Sequence, residues 1–314
     1  MEGLEQHGTL ANLRGLQAQL LSALDGTPSF SSHTLYCQHW LRRQTSKGHT
    51  RYDHTAIPPV LVCPGRSEVL AFPPEYIMPQ DGHDKQDWER VAGPRWRVQH
   101  ARSLAPHGVT FLGDYRYSHQ PLGKWGLQPG RNFLFVCPPA SHVTLYARVA
   151  FWQATDGIKA RESRHWNGRF TAVTMLRSIN DVFLRGGRGA LSVNWLEMTG
   201  VNSNPGAPLS PNNFITNPPL TEQSVSPVAQ AGRGRWKIEN ENHPVRTTKG
   251  SHLEHHCGHG KQYLAAFLLR LTLLAFLAPT VLAWCDESYA VRRQTLQPSD
   301  MLRCYPRSDA LYGV

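Results

Sequence analysis

An α/β protein built on a mixed sheet with flanking helices is the fold class this sequence predicts, and three observations predict it. Short apolar runs that read as strands recur near Gln19 to Leu24, Val60 to Cys63, Val109 to Asp114 and Asn132 to Cys137. A stretch with helical character, about Asp84 to Ser103, lies between the second and third of them. Between about Pro138 and Gln230 short β-like runs follow one another closely, which reads as a strand-rich insertion. With 314 residues, 40% of them hydrophobic, the chain can bury one large core or two smaller ones.

Taken in order, the first strand ends at Leu24, and Thr34 to Leu41 reads as its partner. Pro58, Pro59 and Pro64 confine Val60 to Cys63 to short or edge pairing, because proline donates no ladder hydrogen bond. Gly93-Pro94 is expected to break or kink the following helix. Within the insertion the runs are Thr144 to Phe151, Phe170 to Leu176, Val182 to Leu184 and Leu191 to Met198. Asn202 to Ser226 is rich in Pro, Asn, Ser and Thr and reads as loop. The resulting division is 1–137 and 231–296 for two parts of one core, 138–230 for the insertion, and 297–314 for an irregular tail.

Charge points to a polyanionic partner. The chain has 33 Lys plus Arg against 23 Asp plus Glu, a formal net charge of +10, and such a field attracts and steers nucleic acid. Aromatic residues beside basic ones, in Arg95-Trp-Arg97 and Arg164-His-Trp166, suit backbone and base contacts. Six cysteines without CxxC spacing, and no secretory leader ahead of them, give a reducing cytoplasm as the expected compartment.

The most informative segment is Gly234-Arg-Trp-Lys-Ile-Glu-Asn-Glu-Asn242, with Thr248-Lys-Gly-Ser-His-Leu-Glu-His255 and Gly258-His-Gly-Lys261 beyond it. On a continuous helix Arg235, Glu239 and Arg246 would share one face. Two further acidic residues close apolar runs: Asp25 in Leu21-Ser-Ala-Leu-Asp-Gly-Thr27, where Gly26 permits a sharp exit, and Asp114 in Val109-Thr-Phe-Leu-Gly-Asp-Tyr115. Taken singly, an Asp after a strand is usually a turn or cap residue and a helical Glu a solvated partner of Arg or Lys.

Together and in this order, these segments resemble the catalytic sites of bacterial insertion-sequence transposases of the DDE class. The resemblance extends from about Leu21 to Tyr289 and includes Ile77-Met-Pro-Gln-Asp-Gly-His83, His165-Trp-Asn-Gly-Arg-Phe170 and Leu191-Ser-Val-Asn-Trp195. It implies an RNase H-like core in which Asp25, Asp114 and Glu239 hold two Mg²⁺ ions, with Mn²⁺ as a substitute. Hard oxygen ligands suit these ions, and a pair about 3.5–4 Å apart serves phosphodiester hydrolysis and strand transfer. It further implies double-stranded DNA as partner, both element ends and target, and a homodimer in the synaptic complex. Arg235, Arg246, Lys249 and Lys261 are the expected DNA contacts.

The pattern also departs from the family's. Relatives begin with a helical DNA-binding region, whereas only Met1 to Leu24 precede the first Asp here. The hairpin-forming subgroup has Tyr-x-x-Arg-x-x-x-Glu-x-x-x-x-x-x-Lys around its Glu; Arg235 and Glu239 match, Gly232 stands for Tyr and Arg246 for Lys. Pro244 interrupts the stretch that should continue the helix. A second reading therefore stays open, a truncated, inactive remnant that only binds DNA.

Two other features compete for attention. His252, His255, His256 and His259 with Cys257 have spacings that could ligate a transition metal, but no second ligand cluster accompanies them. The apolar run from Tyr263 to Trp284 is long enough to span a bilayer. Arg270 and Pro279 interrupt it, and an Arg near the bilayer centre costs about 2.5–3.5 kcal/mol. The expectation is accordingly a buried core helix and no membrane.

Overall fold

A computed structural model describes residues 2–6, 8–35, 41–45, 48–66, 69–79, 91–96, 99–100, 104–127, 130–166, 171–201, 211–235 and 263–295. Its centre is a nine-stranded mixed sheet, and the strands that meet there begin with β1 (Leu20–Ala23), which reads Leu-Leu-Ser-Ala and is buried throughout. Beyond Asp25-Gly26 the chain enters a separate four-stranded sheet made of β2 (Thr27–Ser32), β3 (Leu41–Gln44), β4 (Thr50–Ile57) and β7 (Glu75–Ile77). It re-enters the large sheet as β5 (Val60–Val62) and β6 (Leu70–Ala71), then as β8 (Val109–Gly113) and β9 (Arg131–Val136).

β5 lies antiparallel to β1 and to β6, while β8 lies parallel to β1 and β9 parallel to β8. This five-strand order, β6-β5-β1-β8-β9, is an RNase H-like sheet. β1, β5 and β8 are buried at every position, as continuous apolar strands are when both faces of a sheet are covered. One face carries Leu20, Phe111, Phe133, Phe135, Trp195 and Ile215. The other carries Leu21, Ala23, Leu112, Leu134, Leu196 and Phe214.

The strand-rich region prolongs this sheet. β10 (Lys159–Trp166), β11 (Thr171–Phe183), β12 (Ser192–Val201) and β13 (Asn212–Thr216) form an antiparallel series, and β13 pairs with β9. β10 is the outermost strand of the series, and its Lys159, Arg161, Glu162 and Arg164 guard an open edge against pairing with other chains.

Helices cover both faces. After α1 (Glu2–Gln6) come α2 (Gln120–Gly126), α3 (Val143–Ala154), α4 (Val225–Gly234), α5 (Leu264–Cys285) and α6 (Glu287–Thr295). α4 packs Val225, Val228, Ala229 and Gly232 onto the Phe214 face. It approaches so closely that a Cβ at Gly232 would lie 2.6 Å from the Phe214 ring.

Several sequence expectations are corrected. Thr144 to Phe151, read as a strand, lies within helix α3, because Leu145 and Val149 bury at helical spacing. Thr34 and Leu35 lie outside any strand; pairing instead begins earlier, at Thr27, and resumes at Leu41. Within the segment read as loop, Asn212–Thr216 is a strand whose Phe214 and Ile215 are core residues. Residues 91–96 are helical straight through Gly93-Pro94.

The largest correction concerns α5. It is a helix of 22 residues, as the apolar run predicts, but only 22% of its most apolar stretch is buried. Ala265, Leu269, Leu273 and Thr280 face the body, whereas Phe267, Leu271 and Leu274 are exposed. Among the described residues it is the one helix long and apolar enough to cross a membrane. Polar contacts tie it to the body: Tyr76 donates its hydroxyl hydrogen to the Ala266 carbonyl at 2.6 Å, and the Arg270 guanidinium lies 5.1 Å over the Tyr76 ring. Arg270, awkward in an apolar run, is exposed and uses this aromatic face.

Candidate active site at the carboxyl edge of the sheet

Open α/β sheets bind ligands beyond the carboxyl ends of their parallel strands. β1 and β8 are adjacent parallel strands in register Leu20↔Val109 through Ala23↔Leu112, and the Leu24 amide donates to the Leu112 carbonyl at 2.9 Å. Carried two residues beyond its last pair, the same register puts Asp25 opposite Asp114 at that edge. Neighbouring strands are about 4.8 Å apart, so the backbone leaves the sheet at Asp25 and at Asp114 from adjacent strand ends. Both are half-buried.

The turn after β8 is built for its Asp. Gly113 is needed because a Cβ there would lie 2.7 Å from the Cβ of Tyr117. The Tyr117 amide donates to the Asp114 carbonyl at 3.1 Å, and the Arg116 amide donates to Asp114 Oδ1 at 2.9 Å. Arg116 Nη1 then donates to Asp114 Oδ2 at 2.8 Å, with its guanidinium 5.0 Å over the Tyr115 ring. Both oxygens of Asp114 thus accept from Arg116. Sequence reading missed this clamp, though Asp-x-Arg at a strand end signals a side chain bonding the backbone two residues on.

Next to the turn, Ser118 and His142 are buried and 2.7 Å apart. The Ser118 hydroxyl donates to the Tyr115 carbonyl at 2.6 Å, so it accepts from His142 Nε2, and the tautomer follows from that network. Burial, and then the neighbouring His119, push the His142 pKa down to about 4. A neutral histidine that donates to a serine is not its base, and the pair acts as a brace for the turn.

In the smaller sheet Asp53 is completely buried. Arg51 Nε at 2.8 Å and Arg43 Nε at 3.3 Å flank its carboxylate, and the Ser31 hydroxyl donates to it at 2.6 Å. Its oxygens are occupied in holding β2, β3 and β4 together, which makes this a structural carboxylate.

The remaining predicted site residues divide. Arg235 follows the last residue of α4 and is 7% exposed. Glu239, Arg246, Lys249 and Lys261 lie outside the described residues, as do Pro244 and the histidines from His252 to His259. The fold therefore brings Asp25 and Asp114 together and carries the chain, through α4, as far as Arg235. Among the described residues no group of three His, Cys, Asp or Glu side chains is placed to hold a metal ion. The donor chemistry of Asp25 and Asp114, two carboxylates that follow adjacent strands, fits a hard divalent cation, with Arg116 yielding at least one Asp114 oxygen.

Fold and edge define a mixed α/β chain with an RNase H-like sheet and two acidic residues at its carboxyl end. No protein-family model matches the chain, and no curated protein does. Among solved structures it is similar to a piggyBac transposase, determined by cryo-EM as a synaptic complex with hairpin DNA, at a TM-score of 0.44 and 9% sequence identity. That match covers 92% of this chain and 51% of the other, so the chain spans about half the length of that transposase chain.

Proposed function

We propose that this chain is a DNA transposase that hydrolyses phosphodiester bonds at insertion-sequence ends and joins the released strand to target DNA. The observation that carries the reading is the register of the adjacent parallel strands β1 and β8, whose carboxyl ends lead into Asp25 and Asp114. In this reading Asp25, Asp114 and Glu239 are the metal ligands, Mg²⁺ or Mn²⁺ being the ions. When bound, two such ions neutralise the scissile phosphate and activate the attacking oxygen. The carboxylates fix where the phosphate sits. Water's oxygen bonds to phosphorus as the P–O3′ bond breaks, leaving a 3′ hydroxyl and a 5′ phosphate. That hydroxyl then attacks a target phosphodiester, and one P–O bond forms as another breaks. Lys249, Lys261 and Arg246 are the proposed phosphate contacts, and a homodimer the proposed assembly; Arg235, being buried, acts from inside the fold.

One observation favours a second reading, an inactive remnant that only binds DNA: Arg116 occupies both oxygens of Asp114. Cleavage of a supercoiled plasmid carrying candidate element ends separates the two. The active reading expects Mg²⁺-dependent nicking that drops by about 10²–10³-fold in Asp25→Asn and in Glu239→Gln, since charge stabilisation worth several kcal/mol is removed. Salt-sensitive DNA binding without nicking by the wild-type chain would establish the second.

A further inference from the structure

The connection between β11 and β12 reads Leu184-Arg-Gly-Gly-Arg-Gly-Ala-Leu191. The Leu184 amide donates to the Leu191 carbonyl at 2.9 Å, closing the turn at its base. Gln120, at the start of α2 and a few residues beyond Asp114, staples it from the side. Its Oε1 accepts from Arg185 Nε at 2.7 Å and from the Leu191 amide at 3.0 Å, while its Nε2 donates to the Gly189 carbonyl at 3.0 Å. The tip is thus held in one shape.

That shape exposes peptide between cations. Gly187 and Gly189 have φ of 88° and 69°, a region that favours glycine, and a Cβ at Gly186 or Gly187 would meet nothing within 4 Å. Arg185 and Arg188 are exposed on either side. Lys124 Nζ lies 3.9 Å from where a Gly189 Cβ would stand, which adds a third cation. None of the three forms an ion pair among the described residues. Arg185 binds Gln120 through Nε, and its two terminal nitrogens, on an exposed side chain, remain as donors suited to an oxyanion. An open glycine backbone flanked by exposed arginines, one of them held by Gln120, suits a repeating phosphate chain, which both cations and amides can grip.

We infer that the Arg185–Gly189 turn is a phosphate-backbone contact for double-stranded DNA, with Arg185, Arg188 and Lys124 as its cations. This rests on the DNA reading above and adds a contact built from the β11–β12 hairpin and α2. As a contact to the sugar-phosphate backbone it carries no sequence information of its own.

Fluorescence anisotropy of a labelled random-sequence duplex, titrated with the full chain at a series of NaCl concentrations, tests it. Wild-type binding should weaken linearly in log-log form. Arg188→Gln should lower the magnitude of that slope by about 1, and Arg188→Lys should restore it. Both substitutions are at an exposed turn position, so the thermal midpoint should not move. A wild-type chain that binds duplex with a slope unchanged by Arg188→Gln, Arg185→Gln and Lys124→Gln overturns the inference and leaves the DNA reading standing. A wild-type chain that binds no duplex overturns both. Loss of binding to phosphatidylserine vesicles in Arg188→Gln, with duplex binding intact, overturns the inference in favour of a lipid headgroup site.

Discussion

Asp114 and His142 illustrate how single residues near one edge are set by their neighbours. Asp114 is fixed by Arg116, and the turn that carries Arg116 is braced by Ser118 on a neutral His142. That neutrality has a measurable sign. The folded pKa of His142 lies near 4 against about 6.5 when unfolded, so the unfolded chain binds more protons between those values. Stability from this group is complete above about pH 6.5 and declines as pH falls toward 4. Urea unfolding at pH 7, 6 and 5 should show a loss approaching 1.4 kcal/mol per pH unit from this group, on the order of one proton. The His142→Gln chain should lose less over the same range, and equal slopes would show that His142 is charged in the fold. Gly232 is set just as firmly. Position 232 is glycine because Phe214 of β13 occupies the space that a Cβ would fill. Gly232→Ala should cost about 1–3 kcal/mol through overpacking, read as a lower denaturant midpoint with unchanged m-value, and an unchanged midpoint would mean α4 sits further from the sheet.

At the scale of elements, the sequence was most legible where a strand is central. β1, β5, β8 and β9 fall within a residue or two of their apolar runs, because a strand buried on both faces leaves an unbroken hydrophobic signature. The position of Asp25 and Asp114 just beyond a buried strand is legible for the same reason, each ending such a run. α3 was not: Thr, Tyr, Val, Phe and Trp favour strands locally, and only the burial of Leu145 and Val149 against the sheet decides for helix. α5 was read correctly as a helix and wrongly as buried, since an apolar run tells nothing of how many of its sides are covered. Its two sides should respond differently to truncation. Leu269→Ala, on the body side, should cost about 2–5 kcal/mol, whereas Leu274→Ser on the exposed side should stay within about 0.5 kcal/mol. Thermal unfolding of both variants checks this, and equal losses would place both residues inside.

At the scale of the whole molecule, the nine-stranded sheet joins the RNase H-like strands at one side to the β10–β13 series extending from β9, with helices over both faces and a separate four-stranded sheet beyond β1. The acidic edge and the Arg185–Gly189 turn are joined through the short segment from Asp114 to Gln120. The pairing of β1 with β8 brings together residues about 90 positions apart in sequence. Between them the chain must first lay down the small sheet and the β5–β6 pair. Parallel pairing across so long a separation forms slowly, because closure entropy is spent before any contact rewards it. The expectation is that the acidic edge forms late in folding. A refolding chain should regain helical signal early, while any property that needs Asp25 beside Asp114 returns only with the slowest phase.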